Sequence, residues 1–199
     1  MSNINQIQER KNIILSGSFS TGKSTVFDHL SMSDDFEFYI FKKEPSRKRN
    51  IAIIENKKIK QERINTETYI DLSNSIMSNK KFVFDTSIFD TIPYSEKLNV
   101  NNDKIVDSLK FMLAYTHNLK NYNVFFFPTG IHEIVNDEYR HSCSKFQREV
   151  NDRILELYNR YNIKYTILNK DFNTNISIIK NKCFPNAKKP LRKRGSKKV

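Results

Sequence analysis

Five short apolar runs punctuate the chain, separated by longer polar or amphipathic stretches. They are Asn12–Ser16, Phe36–Phe41, Lys81–Asp85, Asn123–Phe127 and Ile163–Leu168, each carrying β-branched or aromatic residues in continuous order. A continuous run marks a strand buried on both faces, as in a parallel sheet covered by helices. Helical spacing fills the intervals. Ile105, Leu109, Met112, Leu113 and Thr116 share one face at steps of three and four, and so do Phe146, Val150, Ile154, Leu157, Tyr158 and Tyr161. Ser144 and Gln147 have the spacing of a capping box at the start of the second of these helices. The alternation predicts an α/β chain with one core. No internal repeat or composition break divides it: the domain covers 1–187, followed by a basic, disordered tail at 188–199.

Composition changes this picture little. A length of 199 residues with 38% hydrophobic and 28% charged residues suits one soluble α/β domain. No apolar run approaches the roughly 18–20 residues that span a bilayer. The polar stretch from Met1 to Lys11 lacks the apolar segment of a secretory signal. The two cysteines, Cys143 and Cys183, fit neither a disulfide framework nor a zinc site, which predicts a reducing, cytoplasmic setting. His29, His117, His132 and His141 show no metal-ligand spacing.

Charge matters more. The net +12 is uneven: Lys188, Lys189, Arg192, Lys193, Arg194, Lys197 and Lys198 stand in the last twelve residues with no acid among them. Removing those seven leaves +5 for the rest. A second cluster, Lys42, Lys43, Arg47, Lys48 and Arg49, is offset locally only by Glu44. Such blocks are solvated faces or arms for anionic partners.

The most specific signal follows the first strand. Residues 17–25, Gly17, Ser18, Phe19, Ser20, Thr21, Gly22, Lys23, Ser24 and Thr25, match Gly-x-x-x-x-Gly-Lys-[Ser/Thr]. Glycine lets the backbone turn its N–H groups inward around a phosphate, and the following helix adds its positive N-terminal dipole. Lys23 is then expected to reach the β- and γ-phosphates of ATP, and the Ser24 hydroxyl to ligate Mg²⁺. Asp85 closes the third apolar run, where a carboxylate facing Ser24 can hold the same ion through water.

Beyond the loop, the chain from about Lys11 to Lys170 resembles the small nucleoside- and nucleotide-kinase-like proteins of the phosphate-loop class. That group includes ribosylnicotinamide kinase-like ATPases, thymidylate kinases and deoxynucleoside kinases. Glu44-Pro45-Ser46-Arg47 is similar to the family's Glu-Pro segment after the second strand, and Asp85-Thr86-Ser87 to its Asp-Arg-Ser segment. Asp137-Glu138-Tyr139-Arg140 is similar to the Asp-Gly-x-Arg entry to the lid. The resemblance implies a three-layer fold with a five-stranded parallel sheet in the order 2-3-1-4-5, flanked by helices, and often a homodimer. It implies Glu44 as general base or acceptor-orienting carboxylate, and Arg140 and Arg148, with Lys145 beside them, as lid cations over the γ-phosphate. Asn169-Lys170-Asp171 stands where such folds pack the adenine, and Tyr69 and Tyr94 are candidates to stack on an acceptor base. Thr86 replaces the arginine usual in the family, so that Arg47 substitutes for it or the substrate differs.

Three activities fit these residues. The first is an ATP- and Mg²⁺-dependent kinase acting on a nucleoside or nucleotide-like acceptor. The second phosphorylates nucleic acid, at a 5′-hydroxyl or a hydroxymethylated base, with the basic cluster and tail tracking the backbone. The third is a non-kinase ATPase switch.

Overall fold

The computed structural model describes residues 10–100, 103, 107, 121–130, 144–169 and 171–185. The elements run β1 (Asn12–Ser16), α1 (Lys23–Ser31), β2 (Tyr39–Lys42), α2 (Arg49–Ala52), α3 (Lys57–Met77), β3 (Lys81–Phe84), α4 (Ile88–Lys97), β4 (Tyr122–Phe126), α5 (Ser144–Arg160), β5 (Thr166–Ile167) and α6 (Phe172–Cys183). The five strands form one parallel sheet in the order β2-β3-β1-β4-β5, as the family resemblance implies.

Continuous apolar runs become two cores because side chains of a strand point alternately to opposite faces. On one face, Ile14, Phe82, Phe84, Val124 and Phe126 pack with Leu72 of α3, Ile88, Phe89 and Ile92 of α4, and Val150, Ile154, Leu157 and Tyr158 of α5. On the other, Ile13, Leu15, Val83 and Phe125 pack with Val26, Phe27 and Leu30 of α1 and Ile176 and Ile179 of α6. The predicted α5 stripe therefore faces the sheet, with Phe146 and Tyr161 packed at its margins.

Two strands differ from the expected runs. The second begins at Tyr39: Asp34–Phe36 is a 3-10 turn that buries Phe36 in the core, while Phe38 faces outward beneath the Arg10 guanidinium, 4.6 Å from its ring centre. The fifth shrinks to Thr166–Ile167, because it lies at the sheet edge and pairs only with the end of β4. Ser144 is the first described residue of α5, and the Gln147 side-chain N–H donates to the Phe19 carbonyl. The stripe residues Ile105, Leu109, Met112, Leu113 and Thr116 and the tail 188–199 lie outside the described residues.

Candidate active site

The carboxyl ends of β1, β2 and β3 converge on one rim. The loop after β1 supplies residues 17–22 and leads into α1. Gly17 has φ 137°, and a Cβ there would stand 2.5 Å from the Phe127 carbonyl oxygen, so only glycine fits. Gly22 adopts the left-handed conformation, φ 87°, at the N-cap of α1 and turns the chain into the helix. Lys23 is buried and folds back over the loop, its Nζ donating to the carbonyls of Gly17 (2.7 Å) and Ser18 (2.5 Å). The ammonium is thus held at the centre of the loop.

A buried scaffold holds this loop from below, and most of it was not foreseen. Asp90, fully enclosed in the first turn of α4, accepts from the Ser16 hydroxyl (2.6 Å) and the Gly17 amide (3.0 Å) through one oxygen. Through the other it accepts from the Ser87 amide (2.6 Å) and hydroxyl (2.9 Å), the capping box of α4. Burial pushes the Asp90 carboxyl up, and Lys23 and these donors pull it back toward the ionised form. From α5, Tyr158 donates to Ser16 Oγ (2.5 Å), Asn151 accepts from the Ser18 amide (3.3 Å), and Gln147 donates to the Phe19 carbonyl (2.6 Å). Positions 147, 151 and 158 lie on one helical stripe, so a single face of α5 grips three successive parts of the loop. The spacing Ser87-x-x-Asp90 was a visible capping signal; its second use, on the loop, is a long-range contact that no local pattern encodes.

Asp85 follows β3, its amide donating to the Lys42 carbonyl (3.0 Å) and so tying it to the end of β2. Its Oδ2 accepts from the Ser24 hydroxyl (3.0 Å), and its buried Oδ1 has no hydrogen-bond partner among the described residues. Burial pushes this carboxyl up to about 6; Lys23 opposes that, Glu44 adds to it, and Ser24 and Arg47 oppose it in smaller measure. A buried carboxylate with one oxygen open, beside a serine hydroxyl, fits a hard divalent cation. Mg²⁺ is commonly held by one or two protein oxygens together with substrate phosphates and water. Among the described residues there is no cluster of three or more His, Cys, Asp or Glu that could hold a metal without a ligand's help.

Glu44 caps a 3-10 turn, Pro45–Arg47, at the end of β2. Its carboxylate accepts from the Ser46 hydroxyl (2.7 Å) and lies 3.9 Å from Arg47 Nε. Arg47 Nη2 in turn donates to Ser24 Oγ (3.0 Å). Glu44, Arg47, Ser24 and Asp85 thus form one charged group at the mouth of the loop. Beside it a narrow recess is lined by Lys42, Pro45, Thr68, Asp71, Phe84 and Thr86.

Three of the five cations in the basic cluster meet carboxylates that counting neighbours in sequence does not show, while Arg49 is exposed. Lys42 pairs with Asp71 of α3 (2.8 Å), Lys43 with Asp28 of α1 (3.3 Å), and Lys48 with Glu67 of α3 (2.6 Å). The acids come from other elements, which a local count of charge cannot see.

Arg148 and Lys145 lie exposed on the first turns of α5, with Lys145 4.0 Å from Glu149. Tyr94 packs edge-on against Phe146, which lies 6.2 Å from the Phe19 ring, and Tyr69 packs against the core. Asn169 exchanges hydrogen bonds with Asn175, and Asp171, just before α6, caps that helix by accepting from the Thr174 amide. Arg140, the 137–140 segment, Lys170, Cys143, His117, His132 and His141 lie outside the described residues.

Comparison with known proteins agrees with this geometry. A search of curated proteins gives no significant match. Among solved structures, deoxyadenosine kinase from M. mycoides with dCMP and dCDP superposes with a TM-score of 0.57 at 18% identity, covering 86% of this chain and 97% of that one. NadR in complex with NAD and AMP-PNP gives 0.62 at 17% identity, covering 88% of this chain and 50% of that one, so the chain spans about half of NadR. Thymidylate kinase from Candida albicans gives 0.55 at 17%, covering 87% and 92%. At these identities the likeness is one of fold. A family model described as an AAA domain matches residues 12–174, most of the chain and every element that builds the loop and its scaffold. The chain therefore belongs to that AAA-domain family, within the phosphate-loop class whose fold is shared by nucleoside and nucleotide kinases.

Proposed function

We propose that the protein is an ATP-dependent phosphotransferase that moves the γ-phosphoryl group to a hydroxyl or phosphate of a nucleoside or nucleotide-like acceptor. The observation that carries this reading is the pairing of two carboxylates with different surroundings across Ser24. Asp85 is buried and keeps one oxygen open beside the Ser24 hydroxyl, whereas Glu44 is partly exposed at the mouth of the loop, accepting from Ser46 and facing Arg47. The first is suited to a metal and the second to an acceptor. The nucleotides bound to deoxyadenosine kinase and NadR support the same class of ligand.

In this reading the amides of residues 20–25 and Lys23 cradle the phosphates of ATP, and Ser24 and Asp85 hold Mg²⁺. Bound there, Mg²⁺ neutralises charge on the phosphate oxygens. Glu44 orients an acceptor hydroxyl and takes its proton as the acceptor oxygen bonds to the γ-phosphorus. The bond from that phosphorus to the bridging oxygen breaks, and ADP leaves with the electron pair. An acceptor phosphate already ionised needs only the orientation. Arg148, with Arg140, is the candidate cation on the lid side. The domain at 1–187 carries the chemistry, and the tail at 188–199 is incidental to it.

The ion pairs of Lys42, Lys43 and Lys48 favour a small acceptor over a polymer, since a backbone-tracking groove needs cations free to meet phosphates. The test is incubation with γ-labelled ATP and Mg²⁺ against two acceptor pools, one of nucleosides and nucleotides, the other of DNA and RNA. Label on a small molecule is the expected result. Label on polymer would transfer the reading to a nucleic-acid kinase, and phosphate release without labelled acceptor would make the protein an ATPase switch.

A further inference from the structure

The Arg47 guanidinium occupies a position that a metal-binding loop needs elsewhere. A serine hydroxyl has one proton to donate and two lone pairs to offer. Ser24 gives its proton to Asp85 and offers a lone pair to Arg47 Nη2 at 3.0 Å. A divalent ion held by Ser24 would take a lone pair of the same oxygen, and its charge would repel a guanidinium from beside it. The Arg47 guanidinium stands between Glu44 and Ser24, its Nε 3.9 Å from the Glu44 carboxylate and its Nη2 on Ser24 Oγ.

Its anchoring suits exchange. The side chain is 48% exposed and stands on a turn of three residues, closed by the Arg47 amide donating to the Glu44 carbonyl (3.1 Å). The guanidinium can leave Ser24 without disturbing the core. Its tether keeps it between Glu44 and the mouth of the loop, where a nucleotide's terminal phosphate presents its charge.

We propose that Arg47 is an exchangeable cation: it takes the metal's side of Ser24 in the free protein and, once metal and nucleotide displace it, binds the terminal phosphate on the Glu44 side. This rests on the nucleotide-binding part of the proposed function and adds a phosphate-contacting residue to it. A planar guanidinium suits both states, because it can bridge a carboxylate and a phosphate with separate N–H groups.

The test needs no acceptor. Binding of ADP and of the β,γ-imido analogue of ATP to the full chain is measured by calorimetry as Mg²⁺ is varied, for the wild type, Arg47→Ala and Arg47→Lys. Removing the competing cation should lower the Mg²⁺ concentration for half-maximal strengthening of ADP binding, by about two- to fivefold. The preference for the triphosphate analogue over ADP should fall about tenfold in Arg47→Ala, with Arg47→Lys keeping part of it. Thermal melting of the variants, with a half-exposed side chain changed, checks that they are folded. If either quantity stays at its wild-type value in folded Arg47→Ala, the exchange is wrong. A wild type that binds both nucleotides but phosphorylates no acceptor would overturn the kinase reading and leave this inference standing. A wild type that does transfer, with a variant unchanged in metal need and triphosphate preference, would do the reverse.

Discussion

The two sides of the candidate site are built in opposite ways. On the nucleotide side, the start of the loop is held by buried groups: Asp90 and Tyr158 on Ser16, Asn151 on the Ser18 amide, Gln147 on the Phe19 carbonyl, and Lys23 across the loop's own carbonyls. On the acceptor side, Glu44 and Arg47 stand on a three-residue turn, and the neighbouring lysines are matched by carboxylates at partly exposed positions. Phosphoryl transfer consists mostly of positioning and charge neutralisation, so a loop fixed before ligand arrives has already met much of the cost. Under the proposed function the rim must also admit a second substrate, which suits a partly exposed turn. Disruption on the first side should therefore weaken binding and transfer together, and disruption on the second should separate them.

Lys23→Ala tests the nucleotide side hardest. It removes the ammonium at the centre of the loop and leaves two backbone carbonyls without their donor. Transfer should fall by about 10³-fold, and ATP affinity measured by calorimetry should fall with it. Glu44→Gln is the matching change on the acceptor side. It keeps the shape and loses the charge, so transfer should fall by about 10²-fold with ATP affinity unchanged. A loss of ATP affinity equal to that of Lys23→Ala would erase the proposed division of labour, and an unchanged transfer rate would exclude Glu44 as base.

Asp90→Asn probes the scaffold without touching a ligand. One oxygen becomes an amide that must face donors, from Ser87 on one side or from Ser16 and Gly17 on the other. Leaving buried donors opposed should cost about 1–3 kcal/mol of stability in urea unfolding. ATP affinity should drop as the first turn of the loop loosens. A full loss of stability with no change in affinity would mean that Asp90 supports α4 alone.

The same contrast explains what could be read in the chain. The loop was legible because its chemistry is compressed into eight consecutive positions, and Ser24 and Asp85 meet as their places after β1 and β3 require. The α5 stripe was legible as an apolar face, but nothing local says what its polar members Gln147 and Asn151 hold; their meaning comes from a loop more than 120 residues earlier. Asp90 shows locally only as a cap of α4, and its hold on Ser16 and Gly17 is hidden for the same reason. The basic cluster misled because its acids, Asp28, Glu67 and Asp71, lie on α1 and α3. The run at Phe36 misled because burial alone does not distinguish a strand from a turn packed into the core.

The smallest expected effect bears on the choice between a small acceptor and a polymer. Changing Lys43 and Lys48 together to alanine breaks the pairs with Asp28 and Glu67, both partly solvent-exposed. Exposed pairs contribute about 0–1 kcal/mol each, so the melting temperature should move little. Transfer to a nucleoside should stay within about twofold, since these charges are already matched within the fold. A polymer acceptor would respond differently: each lysine that meets a backbone phosphate adds about one unit to the salt slope of binding, and removing two would flatten it measurably. Single-stranded DNA titrated at several salt concentrations therefore separates the cases. An unchanged, shallow slope keeps the rim a closed set of ion pairs, and a slope that drops by about two would show these pairs opening to a nucleic-acid backbone.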